Sequence, residues 1–218
     1  DVCSSDLFET GAPTPLVWQS VASDSTGDKL VACVRGGSIY TNASAGFGAW
    51  TQQTGGPTYA FLQSVASNQA GNKLVACGYA NGDGYIYTNA SAGFGAWTQQ
   101  TTGLPDTLPP GNTSWQSVVS DSTGDKLVAC VYGGSIYTNA SAGFGAWTQQ
   151  TGAPNPATWF SVASDSTGDK LVACVYGGSI WTNASAGYGV WTQQTEAPTP
   201  RIWQSVASDS SGDKLIAC

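Results

Sequence analysis

The sequence predicts an all-β fold, a β-propeller of four-stranded antiparallel blades, on three observations. One segment is repeated, the repeat holds four short strand-like segments, and no stretch of the chain has a helical period. The repeated segment is Gly-Asp-Lys-Leu-Val-Ala-Cys at Gly27–Cys33, Gly124–Cys130 and Gly168–Cys174, with near-copies at Gly71–Cys77 and Gly212–Cys218. Successive copies are 44 residues apart, except for 53 residues between the second and the third. This repeat length and the four strands in each repeat are typical of a propeller blade. A β-solenoid is the alternative, although solenoid coils are usually shorter.

The first copy shows how each strand of a blade is predicted. Trp18–Ser23 is a short strand, followed at residues 24–28 by a turn rich in Asp, Ser, Thr and Gly. Lys29–Val34 is apolar on both faces, as expected of a middle strand covered by neighbouring blades. Ser38–Thr41 is the third strand. Trp50–Thr54 is the fourth strand, and its polar end suits the outer rim of a propeller.

The copies define the expected organisation of the chain. Residues 8–218 form a single array, with blades at about 16–54, 59–101, 115–151 and 159–195 and a partial blade at 203–218. Because the array starts and stops within a repeat, we expect a truncated fragment of a longer protein. Residues 1–7 match no repeat and resemble a translated sequencing adapter, so we interpret them as a non-native leader.

The second copy is longer than the others in two places. Extra residues fall within Gly78–Gly84 and within Thr102–Ser114. Insertions in a strict repeat array usually lie in loops on one face, and loops carry binding. These segments are therefore candidate binding loops, with neutral drift as the alternative.

Charge and hydropathy exclude two classes of partner. The chain has seven basic and fourteen acidic residues, a net charge of −7 and no histidine. Nucleic acid is not an expected partner, because no basic stripe is present to neutralise phosphates. Membrane insertion is not expected either, because no apolar run approaches the roughly 18 residues that a spanning helix needs.

The glycine-rich segments between the third and fourth strands carry a resemblance to a known family. They lie at Asn42–Trp50, Asn89–Trp97, Asn139–Trp147 and Asn183–Trp191. With the strands around them, they make Thr10–Cys218 resemble the Asp-box propellers, also called bacterial neuraminidase repeats. The family box is Ser-x-Asp-x-Gly-x-x-Trp. The segments here are one residue longer and lack the aspartate, so the resemblance implies a propeller with degenerate boxes.

The residues that sialidase activity would require are missing from the sequence. In the family that this chain resembles, sialidases use an arginine cluster, a Tyr/Glu nucleophile pair and an acidic Asp. This chain has only Arg35 and Arg201, and its two glutamates, Glu9 and Glu196, are not repeated. The repeated aspartates share one environment, whereas acid–base catalysis needs two unlike ones. We therefore predict a protein that is not an enzyme, with no catalytic residue and no cofactor.

The repeated Asp-x-x-x-Asp turns raise the question of a calcium site, because Ca²⁺ prefers oxygen ligands. In the first copy these residues are Asp24 and Asp28. The second copy has Asn68 and Asn72 in their place and still has the rest of the turn sequence. We therefore predict solvated turns and no metal site.

One cysteine recurs at the same place in every copy. Neither a Cys-x-x-Cys pair nor a histidine is present, which argues against zinc. Equivalent positions of adjacent blades are usually further apart than the about 6 Å that a disulfide needs between Cα atoms. We predict buried free thiols, with a row of sulfur atoms near the propeller axis as the alternative, at Cys33, Cys77, Cys130, Cys174 and Cys218.

Asparagines in Asn-x-Ser/Thr sequons recur with the repeat. They are glycosylation candidates if the hairpins that hold four of them are exposed. The alternative is a turn asparagine copied with the blade. Acceptor asparagines favour an extracellular or cell-surface location, and the candidates are Asn42, Asn89, Asn112, Asn139 and Asn183.

The first functional hypothesis is a non-enzymatic extracellular structural or adhesive repeat protein, for example a building block of a surface assembly or filament. Its partners would be copies of itself, other surface proteins or glycans. The alternative is a carbohydrate-binding propeller lectin, in which Phe47, Phe94, Phe144 and Tyr188 stack on sugars. Packing of these rings within their hairpins is the other interpretation. A second alternative is a glycoside hydrolase-like enzyme whose active residues lie outside this sequence.

Overall fold

The computed structural model describes residues 11–13, 15–57, 60–80, 83–105 and 114–218. Every regular element among them is a β-strand, and consecutive strands of a blade pair antiparallel. The predicted all-β propeller is therefore confirmed. The leader predicted at residues 1–7 lies outside the described residues.

Each of the first four repeats is a meander of four strands. The first blade contains β1 Trp18–Ser23, β2 Leu30–Gly37, β3 Ile39–Asn42 and β4 Thr51–Gln52. The second contains β5 Ala60–Ser67, β6 Leu74–Ala80, β7 Asp83–Asn89 and β8 Thr98–Gln100. The third contains β9 Ser114–Ser120, β10 Leu127–Gly134, β11 Ile136–Asn139 and β12 Thr148–Gln149. The fourth contains β13 Ala157–Ser164, β14 Leu171–Gly178, β15 Ile180–Asn183 and β16 Thr192–Gln193. The fifth copy contributes β17 Arg201–Ile202, β18 Val206–Ser208 and β19 Leu215–Ala217.

The hydrophobic core lies between the blades rather than within one of them. Val31, Cys33 and Ile39 of the first blade pack with Leu62 and Val65 of the second, and all five are at most 5% exposed. Equivalent clusters lie at the following interfaces. The second strand of each blade is thus covered on both faces, which explains why its sequence is apolar without alternation.

Backbone pairing also continues from one blade to the next. The end of β2 pairs with the start of β5 through Gly37 and Ala60, and β10 pairs with β13 in the same way. In the first strand of each of the first four blades, a serine hydroxyl accepts a hydrogen bond from a backbone N–H of the next blade. Ser117 accepts from Val162 in this way.

The insertion at Gly78–Gly84 lengthens a hairpin. The pairing of β6 with β7 continues from Cys77 and Ile86 to Ala80 and Asp83. The second insertion, Thr102–Ser114, lies partly outside the described residues. Because successive connections of an antiparallel meander alternate between its two ends, Ala80 and Gln100 lie at the same end of the blade. The aspartate turns and the glycine-rich hairpins occupy the opposite end.

Candidate functional site

The hairpin between the third and fourth strands is organised by one buried asparagine. In the third blade, Asn139 is 3% exposed. Its Oδ1 accepts hydrogen bonds from the N–H groups of Ser141 and Gly143, at 2.9 and 2.8 Å. Its Nδ2 donates to the carbonyl oxygens of Phe144 and Ala146, at 3.1 and 3.4 Å. The same four bonds are made by Asn42, Asn89 and Asn183.

The expectation of exposed glycosylation sites is therefore wrong for four of the five sequons. A glycan is attached to the asparagine Nδ2, and this atom is buried here and donates two hydrogen bonds. All four hairpin asparagines, Asn42, Asn89, Asn139 and Asn183, are at most 5% exposed. Asn112, the fifth candidate, lies outside the described residues.

The tips of the second, third and fourth hairpins pack against the preceding blade. Ala142 adopts a left-handed conformation with φ of 54°, and its N–H donates to the carbonyl oxygen of Asp125 at 2.8 Å. At Gly143 a Cβ atom would come within 2.6 Å of Thr88 Cγ2 in the second blade. Glycine is therefore required at this position, and the close approach fixes where the next residue, Phe144, is presented.

The aromatic residue of each hairpin tip is exposed to solvent. The exposed fractions are 72% for Phe47, 60% for Phe94, 57% for Phe144 and 50% for Tyr188. These rings are therefore not buried within their hairpins. Because the backbone of every tip is held in the same way, the blades present a row of rings at one end of the array.

Aspartate turns lie at the same end as the hairpins and are saturated by internal bonds. Asp165 Oδ1 accepts from the N–H groups of Asp169 and Lys170, and Oδ2 accepts from the Thr167 hydroxyl. Burial raises the pKa of Asp165, but these hydrogen bonds outweigh burial and hold the pKa below its usual value. The carboxylate is used to fold the turn. In the part of the chain that the structure describes, no three His, Cys, Asp or Glu side chains converge on a point that would hold a metal ion.

Ion pairs that the sequence analysis did not anticipate cross the blade interfaces. Lys73 contacts Asp125, Lys126 contacts Asp169 and Lys170 contacts Asp213, with Nζ–Oδ1 distances of 2.6, 2.6 and 2.5 Å. The signal was present in the sequence, since every repeated lysine except Lys73 directly follows a repeated aspartate. At the first interface Asn72 replaces the aspartate, and Lys29 donates to the carbonyl oxygen of Ala70 instead.

Clefts open beside three of these interblade contacts, those of Lys29, Lys73 and Lys170. Between the second and third blades its volume is about 210 Å³, and Leu74 and Leu127, Lys73, Ser91 and Phe144 are among the residues that line it. Between the first and second blades it is about 100 Å³, and equivalent residues line it, including Lys29 and Phe94. Between the fourth blade and the partial fifth it is about 460 Å³. The hairpin ring of one blade thus borders a cleft that the preceding blade completes.

The repeated cysteines are free thiols at the blade interfaces. Four of them are buried, at Cys33, Cys77, Cys130 and Cys174, whereas Cys218 is exposed. The expectation of burial is therefore wrong for Cys218, which no following blade covers among the described residues. Burial raises the pKa of Cys33 to about 12 and that of Cys174 to about 11. Burial also raises the pKa of Cys77, with further contributions from Cys130 and Cys33.

The structure does not bring the non-repeated charged residues together. Arg35 lies in the first blade, where its guanidinium carbon is 6.0 Å from the centroid of the Phe61 ring. Arg201 lies in β17, paired with Gly178. Glu9 lies outside the described residues. Among the described residues, no helix has the length and apolarity needed to cross a membrane.

The chain is similar in fold to solved β-propeller structures. A structure titled as the crystal structure of a nidogen/laminin complex superposes with a TM-score of 0.66 at 14% identity, covering 93% of this chain and 72% of that one. A structure of YCF48 bound to D1 peptide gives a TM-score of 0.67 at 15% identity, covering 95% and 64%. YCF48 from Cyanidioschyzon merolae gives 0.61 at 14% identity, covering 89% and 61%. The chain thus spans less than two thirds of both YCF48 chains. No family model and no curated protein sequence matches it. These likenesses establish that the chain has the β-propeller fold.

Proposed function

We propose that this chain is a non-enzymatic, extracellular or cell-surface repeat protein with a structural or adhesive role. The observation that carries the proposal is the row of exposed rings at the hairpin tips, Phe47, Phe94, Phe144 and Tyr188. Exposed aromatic residues at equivalent places of successive blades provide several identical contacts on one face. Such multivalent contacts raise apparent affinity without requiring a strong single site.

Two further observations support a binding role rather than catalysis. The carboxylates of the aspartate turns are engaged in hydrogen bonds with their own turns, and the same arrangement is copied from blade to blade. Two of the similar structures are titled as complexes, one of nidogen with laminin and one of YCF48 with a peptide. Protein or peptide partners are therefore reasonable probes. The low content of charged residues, 10%, supports a surface location. The four buried sequons do not add to that support.

The hairpins between the third and fourth strands also support a resemblance to the Asp-box propellers. We interpret the hairpins as degenerate Asp-box turns, in which the first asparagine takes the Ser position of the box, a serine takes the Asp position, and the asparagine side chain holds the turn. The support is the role of Asn139, whose side chain accepts two backbone N–H groups and donates to two carbonyl groups of the same hairpin.

The test is association of the full chain with immobilised copies of itself and with immobilised laminin, followed by surface plasmon resonance. We expect association that is lost when Phe94, Phe144 and Tyr188 are changed together to serine. The matched control is Tyr176→Ser, because Tyr176 is also exposed, at 38%, and lies at the opposite end of its blade. No association of the unchanged chain with either surface, or equal association of the triple variant, would contradict the proposal.

A further inference from the structure

We propose that the clefts between adjacent blades are saccharide sites, each of which binds one neutral pyranose ring. This inference rests on the proposed binding function and specifies its ligand class. The cleft between the second and third blades is taken as the reference site, because two complete blades enclose it and its volume is about 210 Å³. Drug-sized ligands usually occupy pockets of about 300 Å³ or more, so this cleft suits a single ring.

The lining of the cleft matches the two kinds of surface that a pyranose presents. Leu74 and Leu127 provide an apolar wall, and Phe144 stands at the border with 57% of its surface exposed. The C–H groups on one side of a sugar ring pack against such an aromatic face, whose quadrupole is negative. Hydroxyl groups at Ser91 and Thr98 line the same cleft and can exchange hydrogen bonds with the sugar hydroxyls.

The charges at the cleft favour a neutral ligand. The ammonium group of Lys73 is already paired with Asp125 at 2.6 Å, and both side chains are partly exposed, at 34% and 55%. The pair carries no net charge, so it offers no unpaired cation to a phosphate or a carboxylate. Lys73 still has two N–H donors next to the carboxylate acceptor of Asp125, a combination suited to neighbouring hydroxyl groups on one ring.

Repetition of the cleft extends the inference to several sites. The cleft between the first and second blades has Phe94 at its border, and the cleft after the fourth blade contains Lys170 and Ser185. The first interface lacks the Lys–Asp pair because Asn72 replaces the aspartate. We therefore expect the site of the second and third blades to bind more strongly than that of the first and second.

The experiment is saturation-transfer NMR of the full chain with methyl glucoside, methyl galactoside, methyl mannoside and N-acetylglucosamine. At least one of them is expected to receive saturation through its ring C–H groups. Phe144→Ala is expected to weaken binding at least several-fold. The matched control is Tyr176→Ala, which removes an exposed aromatic ring at the end of its blade opposite the clefts. This control is expected to leave binding unchanged.

Three results would overturn the inference: none of the four sugars binds, Phe144→Ala binds as well as the unchanged chain, or Tyr176→Ala loses binding equally. Thermal unfolding of each variant identifies a loss of fold, and in that case Asp125→Asn, at an exposed position, replaces Phe144→Ala as the probe. Association with immobilised protein that persists while all four sugars fail would overturn the saccharide sites and leave the adhesive function standing. If that association is lost while sugar binding is retained, the adhesive function is overturned and the saccharide sites stand.

Discussion

The backbone N–H of Val118 donates a hydrogen bond to the hydroxyl of Ser64 in the preceding blade, at 3.2 Å, and the same hydroxyl lies 3.4 Å from the Val118 carbonyl oxygen. One side chain thus bridges two inner strands that have no regular backbone pairing. The bridge recurs from Ser20 to Val65 and from Ser161 to Val206. It complements the apolar packing at each blade interface with a specific polar contact.

Ser64→Ala is expected to lower the free energy of unfolding by about 1–2 kcal/mol, because it leaves the N–H of Val118 without its partner at a buried interface. Urea denaturation followed by tryptophan fluorescence measures the change. Ser205→Ala is the matched control, since Ser205 is exposed at the equivalent position of the fifth copy. A loss at Ser205 as large as that at Ser64 would show that the bridge is not the cause.

Asn139→Ala is expected to cost roughly 2–4 kcal/mol of unfolding free energy, because it orphans two backbone N–H groups and two carbonyl groups of one hairpin. Asn139→Asp keeps the acceptor and loses the donor, so an intermediate loss is expected. Denaturant titration of both variants gives the order. The prediction fails if the aspartate variant is less stable than the alanine variant.

Expression through a eukaryotic secretory pathway is expected to yield folded protein without glycans on Asn42, Asn89, Asn139 and Asn183, because each Nδ2 is committed to two carbonyl groups. Peptide mapping by mass spectrometry with and without glycosidase treatment checks this. Ser141→Ala, which destroys one sequon at an exposed serine, is the control and should leave the mass of the Asn139 peptide changed only by the substitution. A glycan on any of the four asparagines in folded material would contradict the buried hairpin.

The sequence was sufficient to predict the blades because the relevant signals are local. Strand β1 begins at Trp18 and ends at Ser23, as the alternation and the following turn indicate. The apolar stretch Val31–Val34 of β2 is buried, as expected of a middle strand covered on both faces. Such features depend on residues within one repeat, so every copy of the repeat shows the same strand and turn pattern.

The side-chain environments at the hairpin were harder to predict, since they depend on contacts between blades. Asn139 reads as a glycosylation acceptor in sequence, but in the structure it is buried by its own hairpin, which rests on Thr88 of another blade. Phe144 reads as a ring that packs locally, but Gly143 fits so closely against that blade that the ring remains outside. Lys73 and Asp125 are separated by 52 residues, and a pattern confined to one repeat does not pair them.

The buried thiols are expected to make stability fall at alkaline pH. Burial raises the pKa of Cys33 to about 12 and of Cys174 to about 11, from an ordinary value of 9.0. Above about pH 9 the unfolded chain releases these protons while the folded chain keeps them, so unfolding becomes more favourable as pH rises towards the folded values. Their contribution is fully present below pH 9 and is lost between about pH 9 and 12. Urea denaturation across this range measures the loss.

Cys33→Ala should flatten this dependence, because it removes one of the groups whose proton is held by folding. Cys218→Ala is the matched control, since it removes an exposed thiol in place of a buried one. A thiol reagent applied to the folded chain should label Cys218 rapidly and Cys33, Cys77, Cys130 and Cys174 only on unfolding, because neutral buried thiols are poor nucleophiles. Peptide mapping of the labelled sites makes the comparison direct. Equal labelling of Cys130 and Cys218 in folded protein would mean that the blades do not cover the repeated cysteines.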